Sequence, residues 1–571
     1  MQEKKVTGYI KPFIPRMCGG FAVKLIGTLF DLGIPWVLSM IVDEVLPSGD
    51  FNLAITWGVI MVLFCIGAWI GNVTANRMAS GVSKDITRRL RGDTFRKITT
   101  LSNRQVDKLT IPSLISRMTS DTYIIHQTCS MLQRMGIRAP IMLIGGIAIT
   151  LTMDSVLTLI MMTMLPIAAV ISFKVKNKGR SLFRRVQGAS DDMLMTVREN
   201  VTGVRVIKAL SKAEYERKRF DKVNTELMTK EKTAETFMAM VNPMMGAILN
   251  LGLVTVIAVG SWRVYNGDSE IGKIIAFMNY FTLIHQSLMA ITRIFTSISR
   301  ASASSGRIEE VLNSPEDLKM EIPGENEEEK VPSTAHIEFR NVSFKYEKSN
   351  FEMNNLNFAV NRGETLGIIG ATGSGKSTII QLLMRFYDVT DGEIFIDGKN
   401  IKYYEEAELK RKFGAAFQND TIFKDTIREN IAFGRDNANI ELATEIAQAK
   451  EFIEERGGLD TEVAIKGADL SGGQKQRLLI SRAVAANPDI LVLDDSSSAL
   501  DYKTDSLMRE KLRNHRADTT KVIVTQRVSS IKHAETIIVL ENGQIIGIGN
   551  HDFLINNCEV YREIADSQMK L

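Results

Sequence analysis

Six apolar runs dominate the first half of this chain: residues 25–42, broken only by Asp31, then 54–75, 139–153, 155–173, 236–262 and 274–292. A helix needs about 20 such residues to cross a hydrocarbon core of roughly 30 Å, and several runs meet that length. Inside a bilayer every backbone polar group has to be satisfied within the segment, which helices do. The runs therefore predict six membrane-spanning helices, over about 17–43, 54–77, 134–153, 155–175, 236–263 and 272–296. The first has no small-residue cleavage site behind it and is expected to be retained.

Charge in the connections orients these spans. The short connections 46–52 and 153–155 and the segment 265–270 carry acids but no Lys or Arg. The long connections 77–134 and 174–235 are dense in bases, among them Arg88, Arg89, Arg91, Arg96 and Lys97 in the first, and Lys174, Lys176, Lys178 and Arg180 in the second. Basic loops stay in the cytoplasm, so both long loops and both termini are expected inside a cell membrane, with lipid around the spans. The formal net charge of +4 is accounted for by this distribution and gives no reason to expect a nucleic-acid partner. Cys18, Cys65, Cys129 and Cys558 have no metal-binding spacing and read as packing residues.

The long loops lack the Gly/Pro-rich breaks of separate globules, so the spans are expected to continue as helices into the cytoplasm. About 25 extra residues each way at 1.5 Å per residue project on the order of 35 Å, ending in tips near 107–114 and 199–210. A stretch rich in Pro and Glu, "SPEDLKMEIPGENEEEKVPSTAH", follows and reads as a linker. From His336 onward short β-rich segments alternate with helical ones, the pattern of an α/β domain with a largely parallel sheet. The expected organisation is a polytopic α-helical membrane domain over 1–313, a linker over 314–335, and an α/β domain over 336–571.

That last domain carries the chemistry. "GATGSGKST" follows the strand "TLGIIG" and opens the helix "TIIQLLMRF", the strand-loop-helix setting that a phosphate-binding loop requires. Gly370, Gly373 and Gly375 let backbone N–H groups turn toward phosphates, with Thr372, Ser374 and Thr378 in the same loop and helix start. Lys376 reaches the terminal phosphates, and Ser377 is placed to ligate Mg²⁺. The apolar strand "DILVL" ends in Asp494, a carboxylate suited to hold the same ion. About twenty residues before it, "LSGGQKQR" puts Ser471, Gly472, Gly473 and Gln474 at a second helix start able to cradle an anion.

Taken together, "LSGGQ" before "ILVLDD", "SALD" after it and the phosphate loop ahead of both resemble the nucleotide-binding domain of the ATP-binding cassette (ABC) family. With six spans and two long inner loops, the whole chain resembles an ABC exporter half-transporter. The resemblance implies ATP and Mg²⁺ as ligands, Tyr346 as the aromatic that stacks on adenine, Gln418 as a glutamine reaching the Mg²⁺ and the membrane domain, and the segment 498–501, with Asp501, as the D-loop. It also implies a head-to-tail dimer, each ATP lying between the phosphate loop of one chain and the "LSGGQ" of the other.

Three positions depart from the family pattern. Asp495 stands where the general base is a Glu, Gln526 stands where a switch His is expected, and Ile465 replaces a Glu in the segment before the signature. The losses at Asp495 and Gln526 with "LSGGQ" intact fit a heterodimeric bacterial exporter whose partner half-transporter supplies Glu and His, while this chain contributes an impaired site. A slowly hydrolysing homodimeric exporter of lipid or peptide, and an ATP-gated regulator or channel subunit, remain open on the sequence. The expected substrate is small and hydrophobic or amphipathic. Polar residues at membrane depth, Asp31, Asn250, His285, Gln286 and Arg293, are candidates to meet it.

Overall fold

The computed structural model of the chain describes residues 3–315, 317–321, 334–347, 351–418, 420–496 and 498–569. They form two compact units: residues 1–100 with 111–314, and residues 101–110 with 315–571. Most of the expected linker lies outside the described residues.

The first unit is helical, and its principal helices are α1 (Ile14–Met40), α2 (Phe51–Ile98), α3 (Thr122–Met135), α4 (Arg138–Met153), α5 (Ser155–Thr202), α6 (Ala213–Ala239), α7 (Val241–Tyr265) and α8 (Ile271–Leu312). Among the described residues five helical stretches, 6–48, 51–98, 111–153, 213–265 and 271–312, are long and apolar enough to cross a membrane, and the start of α5 adds a shorter apolar one over Ser155–Met164. Asp50 and Asp154 accept the N–H groups of the first turns of α2 and α5, so each acid in the short connections serves as a helix cap. Large apolar side chains such as Trp69, Ile144 and Leu159 are exposed, as on a surface solvated by lipid.

Both α2 and α5 run for 48 residues, about 72 Å at 1.5 Å per residue and more than twice a hydrocarbon core. The second inner loop turns through Val204–Ala209 before α6 begins. Inside the bundle, Leu32, Met142, Met161, Tyr280, Phe281 and Ile284 form a buried core, and the Tyr280 hydroxyl donates to Leu32 O at 2.7 Å. Helices α1 and α2 touch closely because two glycines face each other: a Cβ on Gly71 would stand 2.8 Å from Gly27 Cα.

Among its described residues the second unit holds ten strands: β1 (Ile337–Lys345), β2 (Glu352–Val360), β3 (Thr365–Gly370), β4 (Asp391–Ile396), β5 (Lys399–Asn400), β6 (Phe413–Ala416), β7 (Ile490–Asp494), β8 (Thr520–Val524), β9 (Thr536–Glu541) and β10 (Gln544–Gly549). A four-stranded sheet has the order β2-β1-β4-β5 and is antiparallel. The six-stranded sheet runs β10-β9-β3-β8-β7-β6, with only β10 antiparallel to its neighbour. Its central strands are continuous apolar runs because both faces are covered; all five residues of β7 are buried.

The tip of the first inner loop groups with this second unit and not with the helices it extends. Its helix Asn103–Leu109 opens on a capping box between Ser102 and Gln105. Ser102 Oγ donates to Asp317 Oδ2 at 2.8 Å, Arg104 pairs with Glu347, and the Tyr387 hydroxyl donates to Asp107 Oδ2 at 2.6 Å.

Candidate nucleotide-binding site

The six-stranded sheet positions the phosphate loop. β3 lies between β9 and β8, and its last residue, Gly370, pairs with Leu540. A side chain there would meet Leu540 O at 2.2 Å, so only glycine fits. The chain then turns through Gly373 (φ +82°) and Gly375 (φ +102°) into α9 (Lys376–Leu383). Gly375 caps α9 in the left-handed conformation and no side chain caps the first turn. The uncapped N–H groups and the positive end of the helix remain for an anion.

The loop's side chains suit that anion. Thr372 is exposed at the tip. Ser374 is 4% exposed and its buried hydroxyl has no partner among the described residues, a donor that a phosphate oxygen would satisfy. Lys376 Nζ folds over the loop and donates to Gly370 O at 2.9 Å and Ala371 O at 2.8 Å. Burial pulls its pKa down, opposed by the nearby Asp495 and Asp494. Thr378 is buried beneath the loop and meets the Tyr346 hydroxyl at 3.2 Å, which also donates to Gln381 Oε1 at 2.7 Å. Tyr346 is thus tied to the phosphate-loop helix, with Phe344 and Tyr387 edge-on at 4.7 and 5.4 Å. Beside it is a cavity of about 580 Å³ whose walls include Phe386, Tyr387, Arg104 and Asp107.

The expected metal ligands converge. Asp494 ends β7, 6% exposed, and its Oδ1 accepts from Ser377 Oγ at 3.2 Å. Burial raises its pKa, the Ser377 bond lowers it, and the like charge of Asp495 adds to the rise. A hydroxyl and a carboxylate side by side form the hard oxygen set that Mg²⁺ takes, with remaining positions left to water and phosphate. Among the described residues no group of three or more His, Cys, Asp or Glu offers a protein-only metal cage.

Asp495 sits at φ +48°. Its N–H donates to Val524 O at 2.8 Å, which fixes it against β8, and its Oδ2 accepts from Gln418 Nε2 at 2.9 Å. Burial raises its pKa, with Lys376 and Arg527 acting against the rise. The Gln418 carbonyl oxygen has no partner among the described residues and remains a possible ligand atom. Gln526 follows β8, exposed, with no side-chain hydrogen bond among the described residues; its backbone carbonyl accepts from Gln568 Nε2 at 2.7 Å. Asp501 caps α11 (Tyr502–His515), with Oδ1 accepting from Thr504 N at 2.9 Å and Oδ2 from Thr504 Oγ1 at 2.7 Å. These bonds hold its carboxyl below its ordinary value.

The second anion cradle stands apart. Ser471 caps α10 (Gly472–Ala485) in a reciprocal capping box with Gln474, and Gly472 and Gly473 lie against Ala499. This helix packs on β6, three strands from β3 in the order of the sheet. Ile465, just upstream, is 66% exposed.

The sequence offered no sign of two contacts here. The Arg527 guanidinium donates to Ser498 O at 3.1 Å and Leu500 O at 3.2 Å, stitching the segment after Asp495 to the end of β8. The pairing of Asp107 with Tyr387 joins residues 280 positions apart.

Comparison with known proteins agrees with this anatomy. Residues 17–288 match the family described as the ABC transporter transmembrane region, and residues 353–498 match the family described as ABC transporter. The chain is 33% identical to the uncharacterized ABC transporter ATP-binding protein YfiB of Bacillus subtilis, covering 99% of this chain and 98% of that one. It is 30% identical to the putative multidrug export ATP-binding/permease protein YgaD of the same organism, covering 99% of both. Its fold matches a solved bacterial Atm1-family ABC exporter with ATP bound at a TM-score of 0.81 and 24% identity, over 98% of this chain and 99% of that one.

Proposed function

This chain belongs to the ABC transporter family, and from that premise we propose that it is one half of a heterodimeric exporter. Its own phosphate-loop site holds ATP and cleaves it slowly, and its signature helix completes the competent site of a partner half-transporter that carries the Glu and His missing here. The observation that carries the reading is Asp495. A base must lie within about 2.6–3.2 Å of the proton it takes, and this carboxylate is one methylene, about 1.5 Å, shorter than Glu and already bonded to Gln418. Misplacement of about 1 Å can cost roughly a hundredfold in rate. Gln526 supports the same reading, since a neutral amide lacks the proton chemistry of imidazole.

In this account Lys376 exchanges the carbonyls of Gly370 and Ala371 for the terminal phosphates, and the loop N–H groups with the Ser374 hydroxyl take the remaining oxygens. Ser377 and Asp494 would hold the Mg²⁺, with Gln418 available as a further ligand. When bound, the ion neutralises phosphate charge and orients the chain for in-line attack. Tyr346 offers a ring to the adenine. Asp495 and Gln526 bind and orient but do not activate water efficiently, so ATP on this side stays uncut for longer than the two chains stay closed around it.

The placement of the two cradles on different strands, β3 behind the phosphate loop and β6 under the signature helix, supports the dimer, since each is left open to a nucleotide shared with a second chain. Closure then drives alternating access in a multi-pass cell-membrane protein with cytoplasmic termini, moving a hydrophobic or amphipathic compound outward. Native-detergent isolation from the source membranes, with mass spectrometry of the complex, tests the pairing. The reading expects a stoichiometric second half-transporter with Glu after its strand-end Asp and a switch His. Recovery of this chain alone, as a dimer hydrolysing ATP at an ordinary rate, would contradict it.

A further inference from the structure

One polar network crosses the first unit at membrane depth. Lys24 on α1, 2% exposed, donates to Asn72 Oδ1 at 2.8 Å and Asn76 Oδ1 at 3.2 Å on α2. Asn72 Nδ2 donates to Asp31 Oδ2 at 3.0 Å, and Arg138 Nη2 reaches the same oxygen at 3.2 Å. Lys24 and Asp31 balance in charge, and Asp31 orients Arg138 from behind. The Arg138 side chain stays 43% exposed.

Arg138 shares a pocket with a second cation. Arg293 on α8 is exposed and makes no hydrogen bond or ion pair among the described residues. Both arginines line one pocket of about 190 Å³ that contains no acidic residue; Gln286 adds an amide, and Met135, Met142 and Leu283 form apolar walls. Arg138 is also the first residue of α4, whose N-terminus no side chain caps, so the positive end of a helix starts beside the pocket. Arg134, four residues before, is occupied with Ser80 Oγ at 3.0 Å.

Asp31 is the one acid set against both Lys24 and Arg138 among the described residues, and Arg293 brings a further positive charge with no acid in the pocket lining; at this depth charged side chains face a cavity or protein, not lipid. The complement is an anion with two or more oxygens, which a guanidinium fork binds bidentately. The volume suits a head group and not a whole ligand, since ligand pockets run to about 300–1,000 Å³. Methionine walls accept an adaptable apolar neighbour. We propose that Arg138 and Arg293 form an anionic head-group subsite of the transport cavity, so that the exported compound is an amphiphile carrying a carboxylate, phosphate or sulfonate. The inference rests on the export reading above and specifies its substrate class.

The test uses the full transporter, with any partner it carries, in phosphatidylcholine vesicles. Three dansyl-tagged undecyl probes differ only in the head: carboxylate, primary amide and trimethylammonium. Nucleotide-free binding and ATP-driven accumulation are both measured. The carboxylate is expected to bind about tenfold tighter than the amide, with the ammonium weakest. Arg293→Gln and Arg138→Gln should each reduce that ratio to about twofold or less, and Arg293→Lys should keep most of it. Equal binding of the three heads by the unmutated protein overturns the inference, whatever the variants do.

A ratio unchanged in Arg293→Gln also overturns it. Loss of carboxylate binding in phosphatidylcholine–phosphatidylglycerol vesicles, without ATP-driven accumulation, overturns it in favour of a structural lipid site. Accumulation of all three heads alike removes this inference and leaves export standing. Selective carboxylate binding that persists in both lipid mixtures, with no accumulation of any probe, removes export and leaves the anion preference standing.

Discussion

Asp495 is a residue whose backbone and side chain are both committed. Its left-handed φ of +48° suits Asp better than a longer side chain, and its carboxylate is bonded to Gln418. Extending it by one methylene restores reach. Asp495→Glu is therefore expected to raise hydrolysis at this chain's own site, by roughly ten- to a hundredfold, read as ATPase activity with the partner's base removed. Adding Gln526→His should give more than the sum of the single effects in log rate, since the two side chains would act on one reaction; no change from either variant would contradict the assigned roles. Gly375→Ala places a Cβ 2.6 Å from Phe351 Cζ at φ +102°, strain of about 1–3 kcal/mol in the loop. ATP affinity measured by equilibrium dialysis should fall about tenfold or more.

At the scale of elements, the helix Asn103–Leu109 joins the nucleotide-binding unit through Tyr387 and Asp107. Tyr387→Phe removes one hydrogen bond, worth about 1 kcal/mol, without touching the phosphate loop. The expected result is retained ATP binding with less substrate moved per ATP hydrolysed; an unchanged ratio would show that the bond carries no coupling. Strands β3 and β7 were legible in the sequence because each is an unbroken apolar run ending in its motif, whereas their shared pairing with β8 is set only in the assembled sheet. The convergence of Ser377 and Asp494 was legible for the same reason, since each stands next to the end of such an element.

The bond between Gln418 and Asp495 was not legible. Its partners are 77 residues apart and meet only once β6 and β7 pair in parallel. Asp501 shows the opposite case: a polar residue before a helix is a cap by local rule, and both its oxygens are taken by Thr504. The placement of the 101–110 tip with the second unit depends on contacts across more than 200 positions, beyond the reach of periodicity.

At the scale of the whole molecule, the family places a membrane domain and an ATPase domain on one chain, and in the heterodimer proposed above the departures at Asp495 and Gln526 would divide the labour between two chains. Such pairing would make sense of an intact signature helix beside an Asp in the place of a Glu. The most direct measurement labels the isolated complex during turnover with photoreactive azido-ATP carrying the radiolabel on either the α- or the γ-phosphate. The account predicts that this chain retains both labels, its ATP uncut, while the partner retains the α label and loses the γ label. Loss of the γ label from this chain as fast as from its partner would contradict it, and Asp495 would then be a working base.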